Sequence, residues 1–318
     1  MSHLVQQLFR STNSPSKTCG TMRPPTPLPT FSGAHRFKLP DLNVTAGAYS
    51  VCGANRENNE DDQYVSPDRS VFIVADGIGG HHAGEFASRF IVDPLTHELS
   101  RTFDDDDSDE AVEEYVRAAF LHANCLLLDA ARENPEHDGA GTTALLALVF
   151  GDRLFVLGIG DSRAFLLRDD LFEQLTLDDS MTAYLENAGA ICAEEVKLHP
   201  MRNRLCAFMA MDNFPPDEEF RVIRMQPEDV VLLCSDGLTD VVEDSVIQAI
   251  LKLHRNSQLS ARQLAQTAVE RKAKDDVTCV VIRVDEAVND DEQKPGSRFA
   301  EFAQKLTSLF GRPPTPAI

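Results

Sequence analysis

The segment 71–88 (VFIVADGIGGHHAGEFAS) constrains the fold more than any other part of this sequence. Its first five residues are β-branched and aromatic or small and apolar, which is typical of a buried strand. The run ends in Asp76, and glycines follow at positions 77, 79, 80 and 84. Because glycine has no Cβ, a carboxylate at a strand end and the backbone carbonyls after it can approach one cation. A single Asp-Gly after a strand, however, usually marks only a turn.

The same arrangement of a strand and acidic residues recurs along the chain. The apolar run 230–235 leads into Asp236-Gly237, and Lys274-Asp275-Asp276 precedes another apolar run, 277–284. Asn59-Glu60-Asp61-Asp62 follows a further candidate strand at 48–52. Acidic groups at four strand ends are hard to explain as unrelated turns, so the pattern favours a shared chemical role.

The charge balance limits the classes of partner. The 318 residues include 30 lysines and arginines against 51 acidic residues, a formal net charge of −21. Such a charge disfavours nucleic acid or an anionic membrane as a general partner. It suits a protein that gathers divalent cations, although solubility alone also explains an acidic surface.

The cysteines and the apolar runs indicate the compartment. Seven cysteines are widely separated, at positions 19, 52, 125, 192, 206, 234 and 279, with no C-x-x-C pair. The odd count and the absent framework favour a reducing environment. No run approaches 18 apolar residues, and the N-terminus lacks the apolar stretch of a secretory signal. We therefore expect a cytoplasmic protein without a membrane span.

Composition divides the chain into one folded domain and two tails. Residues 1–42 are rich in Pro, Ser and Thr, and we expect them to be disordered. The folded domain is expected at 43–285, and 286–318 reads as a polar linker, an amphipathic helix at 298–310 and a Pro-rich end. The pentapeptide RPPTP occurs at both 23–27 and 312–316. It is a partner-binding polyproline motif, a phosphothreonine site or a coincidence of proline-biased tails.

Periodicity predicts strands and paired helices within the domain. Helices are expected at 84–99, around 112–127, at 240–254 and at 261–273, with a less regular helical excursion at 178–213. Strands are expected at 43–52, 70–75, 142–150, 153–159, 163–168, 220–225, 230–235 and 277–284. The tight turns Gly151-Asp152 and Gly160-Asp161-Ser162 predict that the strands they join are antiparallel neighbours. Consecutive strands and consecutive helices, without strict alternation, indicate an α+β fold.

Six short segments together carry a resemblance to a known family. In chain order they are Arg56-Glu57-Asn58-Asn59-Glu60-Asp61, Asp76-Gly77-Ile78-Gly79-Gly80-His81 with Gly84-Glu85 and Ala87-Ser88, Gly141-Thr142-Thr143, Gly160-Asp161-Ser162-Arg163, Ser235-Asp236-Gly237-Leu238-Thr239-Asp240 and Lys274-Asp275-Asp276-Val277-Thr278. In this order and spacing the chain resembles the metal-dependent protein serine/threonine phosphatases of the PPM (type 2C) family, in their compact bacterial form. The resemblance covers residues from about 45 to 285.

The resemblance implies a four-layer α-β-β-α sandwich of two antiparallel sheets flanked by helix pairs, with a two-metal site at one end. It implies that Asp61, Asp76, Asp236 and Asp275 are carboxylate ligands of Mn²⁺ or Mg²⁺, joined by the Gly77 carbonyl and by Glu60 through water. Asp161 would join Asp236 at a looser third ion, and Arg56 would bind the substrate phosphate. Hard cations prefer oxygen ligands, and a guanidinium fork fits two phosphate oxygens.

Several positions depart from the family pattern. Ile78 stands where many eukaryotic relatives have a histidine thought to act as a general acid. Asp276 replaces the usual asparagine, and we expect its charge to tighten metal binding or shift the pH dependence. Asp179 replaces a histidine, and 204–210 (RLCAFMA) lacks the usual Thr-Arg and the closing glycine. These last changes fall in the excursion at 178–213, hereafter the flap, and bear on substrate selection.

Other polar groups near these segments have structural interpretations. Arg163 is expected to form a structural ion pair, and Thr142 and Thr143 to support a strand. His81 and His82 either donate a proton to the leaving group or hydrogen-bond the backbone.

The resemblance implies metal-dependent hydrolysis of phosphoserine and phosphothreonine in proteins, opposing a bacterial Ser/Thr kinase. In this reading two ions lower the pKa of a shared water, which attacks phosphorus. Two alternatives stay open at this point. One is a pseudophosphatase that binds a phosphoprotein or partner through the flap and tails. The other is a phosphatase of small phosphoesters.

Overall fold

The strands form two antiparallel sheets. The computed structural model describes residues 42–286 apart from 55, 69, 80–81, 101–102, 104–106, 197 and 215–218. One sheet has the strand order β1-β11-β10-β7-β8, and the other has β2-β3-β5-β6-β9 with β4 paired to β3. The strands are β1 (Leu42–Val51), β2 (Asp61–Val65), β3 (Val71–Ile78), β4 (Gly141–Thr142), β5 (Ala144–Phe150), β6 (Arg153–Ile159), β7 (Arg163–Arg168), β8 (Leu171–Gln174), β9 (Phe220–Arg224), β10 (Val230–Cys234) and β11 (Val277–Glu286).

Helices pack in pairs outside the sheets. In the described residues they are α1 (Ala83–Leu99), α2 (Asp109–Glu133), α3 (Met181–Asn187), α4 (Ala193–Val196), α5 (Asp236–Thr239), α6 (Asp244–Leu253) and α7 (Ser257–Glu270), with a short 3₁₀ turn at Pro135–His137. Side-chain caps define several helix starts. Ser108 accepts a hydrogen bond from the backbone N–H of Ala111, and Asn256 accepts one from that of Leu259. Each cap satisfies a backbone donor that the helix leaves free.

Strand β3 is apolar at almost every position because both of its faces are buried. Phe72 and Val74 belong to the core between the two sheets, whereas Val71, Ile73 and Ala75 belong to the core under α1 and α2. Successive side chains point to opposite faces of a strand, and here both faces are covered. The strand therefore lacks the alternation of a half-exposed one.

The second sheet is covered in the same way. In β10, Val231 and Leu233 face the core between the sheets, and Leu232 and Cys234 face the core under α6 and α7. The layers are therefore helix pair, sheet, sheet and helix pair. This confirms the predicted α+β sandwich.

Several boundaries differ from the sequence predictions. The short strands β2 and β8 were not predicted, and the expected helix at 240–254 begins only at Asp244, after the separate turn α5. β8 is an edge strand with an exposed, partly polar surface, so it carries little apolar pattern. β2 begins with two aspartates, residues that are depleted in strands, and its partner β3 supplies the pairing.

The turn Gly160-Asp161-Ser162 does not make a hairpin, contrary to the sequence prediction. β6 and β7 lie in different sheets, so this turn crosses from one sheet to the other. Gly160 has a φ of +108°, and a Cβ there would lie 2.6 Å from the side chain of Thr143. The crossover places Asp161 at the end of the core between the sheets. By contrast, Gly151-Asp152 joins paired strands, as predicted.

The flap at 178–213 is only partly helical. It contains α3 and α4, and turns connect them to the segment that returns to the domain. Asn124 of α2 holds this return: its side-chain oxygen accepts the N–H groups of Ala210 (2.7 Å) and Met211 (3.1 Å), and its amide donates to the Met211 carbonyl (2.9 Å). Asn124 is buried, so these hydrogen bonds fix the base of the flap to the helical layer.

Both predicted tails lie almost entirely outside the described residues. The domain limits, the RPPTP repeats and the helix at 298–310 therefore stay predictions. Among the described residues, no helix is long and apolar enough to cross a membrane.

Ala210 offers a stability test, because its φ is +79° where the family resemblance places a glycine. An L-residue in this conformation costs about 1–2 kcal/mol, and glycine costs about 0.5–1 kcal/mol in chain entropy. We expect Ala210→Gly to stabilise the protein by about 0.5–1 kcal/mol, measured by urea denaturation. The control Ala207→Gly, at a buried residue without positive φ, should destabilise it. A destabilised Ala210→Gly variant would contradict the strain argument.

Candidate metal and phosphate site

Asp61 and Asp76 face each other across two paired strands. They are direct partners in the antiparallel register of β2 and β3. Side chains of directly opposed residues lie on the same face of a sheet. Asp76 follows Phe72 and Val74 at a spacing of two, so it continues the face that lies between the sheets. Register therefore places both carboxylates at the end of the inter-sheet core.

The other predicted residues reach the same end of the sandwich from neighbouring elements. Asp236 follows β10, Asp275 precedes β11, and Asp161 lies on the crossover between β6 and β7. A cavity of about 440 Å³ opens between them. Its lining includes Arg56, Glu60, Asp76, Gly77, Asp161, Asp236 and Asp275. Asp61 is only 7% exposed and lies beneath this cavity, where Ser235 Oγ donates a hydrogen bond of 2.7 Å to it.

Arg56 is bonded to two of the predicted metal residues. Its guanidinium donates to Glu60 and, at 2.5 Å, to Asp275 Oδ1. Arg56 thus lies at the wall of the acidic cavity. The Arg56 side chain is one third exposed.

Burial and mutual repulsion disfavour the ionised form of these carboxyl groups. Burial raises the pKa of Asp61 to about 7, with the charges of neighbouring aspartates adding to the shift. Burial and the nearby charge of Asp178 raise the pKa of Asp161 to about 7. The pKa values of Asp76 and Asp236 rise well above the ordinary range for the same reasons, burial first.

The donor set fits hard divalent cations. Asp61 Oδ1 and Asp236 Oδ1 are buried and have no hydrogen-bond partner among the described residues. An unsatisfied buried carboxylate oxygen is costly unless a cation or donor meets it. Within the described residues, no group of three or more acidic, histidine or cysteine side chains is arranged so that it could hold a metal ion as it stands. Glu60 and Asp275 explain this in part, because their oxygens are bonded to Arg56.

Two threonines fix the peptide of Asp76. The Thr142 hydroxyl donates to the Asp76 carbonyl, and the Asp76 N–H donates to the Thr143 hydroxyl, both at 2.9 Å. The Thr143 hydroxyl also lies 2.8 Å from that of Ser162, beside Asp161. The threonines therefore have a structural role, as expected, and they link β3 to the crossover.

The start of the flap supports Asp161 from the other side. Arg163 forms a bidentate ion pair with Asp178, with N···O distances of 2.6–3.1 Å. Asp179, the residue that replaces the family histidine, accepts the Gly160 N–H at 2.8 Å and donates its own N–H to the Gly160 carbonyl. The two aspartates thus bind both ends of the crossover turn.

The histidine hypothesis receives no structural support in the described residues. His81 lies outside them, and His82 is exposed just before α1, with no side-chain cap hydrogen bond. Ile78 lines the cavity at the position that a histidine occupies in many eukaryotic relatives. An isoleucine there has no proton to donate.

The sequence reasoning missed the residues that hold the site from behind. Ser235 receives the Thr278 N–H at 3.0 Å while it donates to Asp61, and Ser50 and Thr278 hydroxyls lie 2.7 Å apart. In the sequence, these residues could have been recognised as hydroxyl side chains within or at the end of an apolar run and close to a predicted metal ligand. Such groups orient ligands.

A two-sheet sandwich that gathers carboxylates and the Arg56 guanidinium at the same end has the architecture of a metal-dependent phosphatase. A sequence profile described as protein phosphatase 2C matches residues 52–277. The chain belongs to this family.

Known relatives support the assignment. The chain is 35% identical over 243 residues to the serine/threonine protein phosphatase PstP of Mycobacterium tuberculosis, a match that covers 76% of this chain and 45% of PstP. The chain thus spans about half the length of that relative. It is 30% identical over 233 residues to the serine/threonine phosphatase stp of Listeria innocua, covering 72% of this chain and 92% of that protein.

A solved structure shows the same fold. The catalytic domain of PstP in complex with two manganese ions superposes with a TM-score of 0.66 at 32% identity. The match covers 77% of this chain and 99% of that one.

The crowded carboxyl groups make the metal-free protein sensitive to pH. Folded pKa values of about 7 at Asp61 and Asp161 exceed the ordinary value of about 4, so the folded state holds extra protons between these pH values. Their contribution to stability is complete below about pH 4 and is lost as pH rises through about 7. We therefore expect the melting temperature of metal-free protein to fall between pH 5.5 and 8.

The variant Asp236→Asn should reduce this sensitivity. At pH 8 without metal we expect the melting temperature of this variant to be about 2–4 °C higher than that of the wild type. This is the shift that a gain of about 1 kcal/mol in unfolding free energy produces in a domain of this size. The control Asp229→Asn removes a buried carboxylate that is paired with Arg168 and should lower the melting temperature. An Asp236→Asn variant that is less stable at pH 8 would contradict the proposed repulsion.

Proposed function

We propose that the protein hydrolyses phosphoserine and phosphothreonine in proteins, using Mn²⁺ or Mg²⁺ bound by Asp61, Asp76, Asp236 and Asp275. The convergence of these carboxylates on one cavity, with buried oxygens that lack a partner, supports the proposal most directly. The names of the relatives support the reaction, and the PstP complex with manganese supports the metal.

Each residue has a distinct part in this proposal. Bound divalent ions supply a nucleophilic water near neutral pH and neutralise charge on the phosphoryl group. The aspartates hold the ions by their carboxylates, the Gly77 carbonyl adds an oxygen and Glu60 acts through water. Arg56 exchanges its carboxylate partners for phosphate oxygens and orients the phosphoryl group for in-line attack. Ser235 donates to one oxygen of the Asp61 carboxylate, and the other oxygen would be available to a metal ion.

A third ion is proposed at Asp161. Asp161 and Asp236 line the same cavity, and the charge of Asp161 adds to burial in raising the pKa of Asp236. Asp161 is half-buried on the crossover turn, and the flap residues Asp178 and Asp179 fix that turn. Binding of a third ion at Asp161 would therefore depend on the conformation of the flap.

The flap supplies the substrate side of the cavity. The cavity lining includes the flap residues Asn203, Arg204, Leu205 and Phe208 as well as Arg56. Arg204 places a second guanidinium at a cavity whose other charged groups are mostly acidic. We propose that it contacts an acidic residue of a bound peptide, beside the phosphorylated residue. A Ser/Thr kinase would supply such phosphoproteins, and the reduced-type cysteine pattern favours the cytoplasm.

The pseudophosphatase alternative is not favoured. Every predicted core carboxylate is present and reaches the cavity or the layer beneath it, and the relatives are named as phosphatases. A phosphatase of small phosphoesters does not need the peptide around the phosphorylated residue, whereas a protein phosphatase does. A comparison of kcat/KM for a phosphopeptide and for a small phosphoester therefore separates the two.

Activity should depend on metal and on Asp236. We expect turnover of a phosphothreonine peptide with Mn²⁺ and none with chelator. Loss of a residue that only orients metal ligands typically lowers activity by about 10- to 100-fold. Asp236→Asn removes a proposed ligand itself, so it should lower kcat by more than this. The control Asp240→Asn removes a nearby exposed carboxylate and should retain activity. A folded wild-type protein that binds the phosphopeptide but does not hydrolyse it with either Mn²⁺ or Mg²⁺ would overturn the proposal.

The role of Arg204 predicts a change in selectivity. Arg204→Ala should lower kcat/KM for a phosphothreonine peptide by about 5- to 30-fold, as for loss of a charge-assisted contact. It should change kcat/KM for p-nitrophenyl phosphate much less, because that substrate lacks flanking residues. Equal losses for both substrates would instead place Arg204 on the phosphate itself. No loss for either would remove it from the substrate site.

A further inference from the structure

Asp276 joins two parts of the chain through the backbone. One carboxylate oxygen accepts the Gly53 N–H at 2.8 Å, and the other accepts the Glu60 N–H at 2.7 Å. The residue is 1% exposed. Both oxygens therefore have backbone donors, and they are directed to the loop 52–60 between β1 and β2. From the sequence we expected the charge of Asp276 to tighten metal binding or shift the pH dependence, and that expectation did not include this structural role.

The loop between these two donors carries Arg56 and Glu60. In the described part of this loop, Arg56 donates its N–H to the Gly53 carbonyl at 3.1 Å, and the Ala54 N–H donates to the Ala273 carbonyl at 3.3 Å. At the other end, the Asn59 amide donates to the Ser50 hydroxyl at 2.7 Å, and the Gly77 N–H donates to the Glu60 carbonyl at 3.0 Å. A Cβ on Gly53 would lie 2.6 Å from the Asp275 backbone, so the loop rests directly on the chain before β11. Asp276 thus binds the first and last parts of the loop to that chain.

We propose that Asp276 is a positioning residue that sets the place of Arg56 in the cavity, an inference that rests on the proposed function of Arg56. An aspartate accepts hydrogen bonds at both oxygens, whereas an asparagine accepts at one oxygen and donates at its nitrogen. The asparagine that is usual in the family would leave one loop N–H facing another donor. In this chain Asp276→Asn, although it restores the family residue, therefore loosens the loop.

Amide exchange tests the geometry without any turnover. In metal-free, isotope-labelled protein, Asp276→Asn should speed hydrogen exchange of the Gly53 or Glu60 amide by about 3- to 10-fold, as expected for one lost hydrogen bond. The matched control is Asp229→Asn, since Asp229 is also 1% exposed and accepts a backbone N–H, that of Gln226, at 2.8 Å. That control should leave both loop amides unchanged, relative to amides elsewhere in the domain.

Steady-state kinetics test the consequence for Arg56. With a phosphothreonine peptide, Asp276→Asn should raise KM by about 3- to 10-fold with a smaller change in kcat. In an Arg56→Ala background the same change should add less than about twofold, because the positioned group is gone. Asp229→Asn should leave KM unchanged even though it lowers stability.

The outcomes separate this inference from the proposed function. Unchanged exchange at both Gly53 and Glu60 overturns the positioning role, whatever the activity. Faster exchange together with a full, additive KM effect in the Arg56→Ala background shows that Asp276 acts through another group, which also overturns it. A wild-type protein without turnover contradicts the proposed function, and the exchange result then still decides whether Asp276 holds the loop.

Discussion

The structure depends on the collection of like charges at one end of an otherwise apolar sandwich. Five aspartates meet where the two sheets end, in and beneath one cavity, and burial and repulsion raise the pKa values of four of them. Such an arrangement is unfavourable without cations. It persists because the strands that deliver the aspartates are fixed by cores on both faces. Packing energy gained elsewhere thus offsets a strained site.

Hydrogen bonds from small polar side chains fix the individual residues of the site on this rigid frame. The hydroxyl groups of Thr142 and Thr143 fix the Asp76 peptide, Ser235 holds Asp61, and Asp276 holds the loop of Arg56. Most of these side chains are buried and reach a backbone or carboxylate partner. The same logic extends to Asp179, which binds the crossover turn of Asp161. The site is therefore supported by hydrogen bonds from both sheets.

The sequence predicted the layers and the candidate ligands better than the connections. Apolar runs such as β3 and β10 are recognisable because both of their faces are buried, and the order of the acidic segments carried the family resemblance. The crossover at Asp161 was mistaken for a hairpin, since a short Gly-Asp turn has the same local signal whether its strands pair or change sheets. The role of Asp276 depends on contacts over 200 residues apart in sequence, which no local pattern contains.

Anomalous scattering from crystals grown with Mn²⁺ tests the central claim most directly. The account predicts two manganese peaks in the cavity between Asp61, Asp76, Asp236 and Asp275, with Arg56 released from Asp275. Isothermal titration should give the same stoichiometry in solution, and Asp236→Asn should lower it. A cavity without manganese peaks at saturating metal, or ions bound only outside these aspartates, would contradict the account.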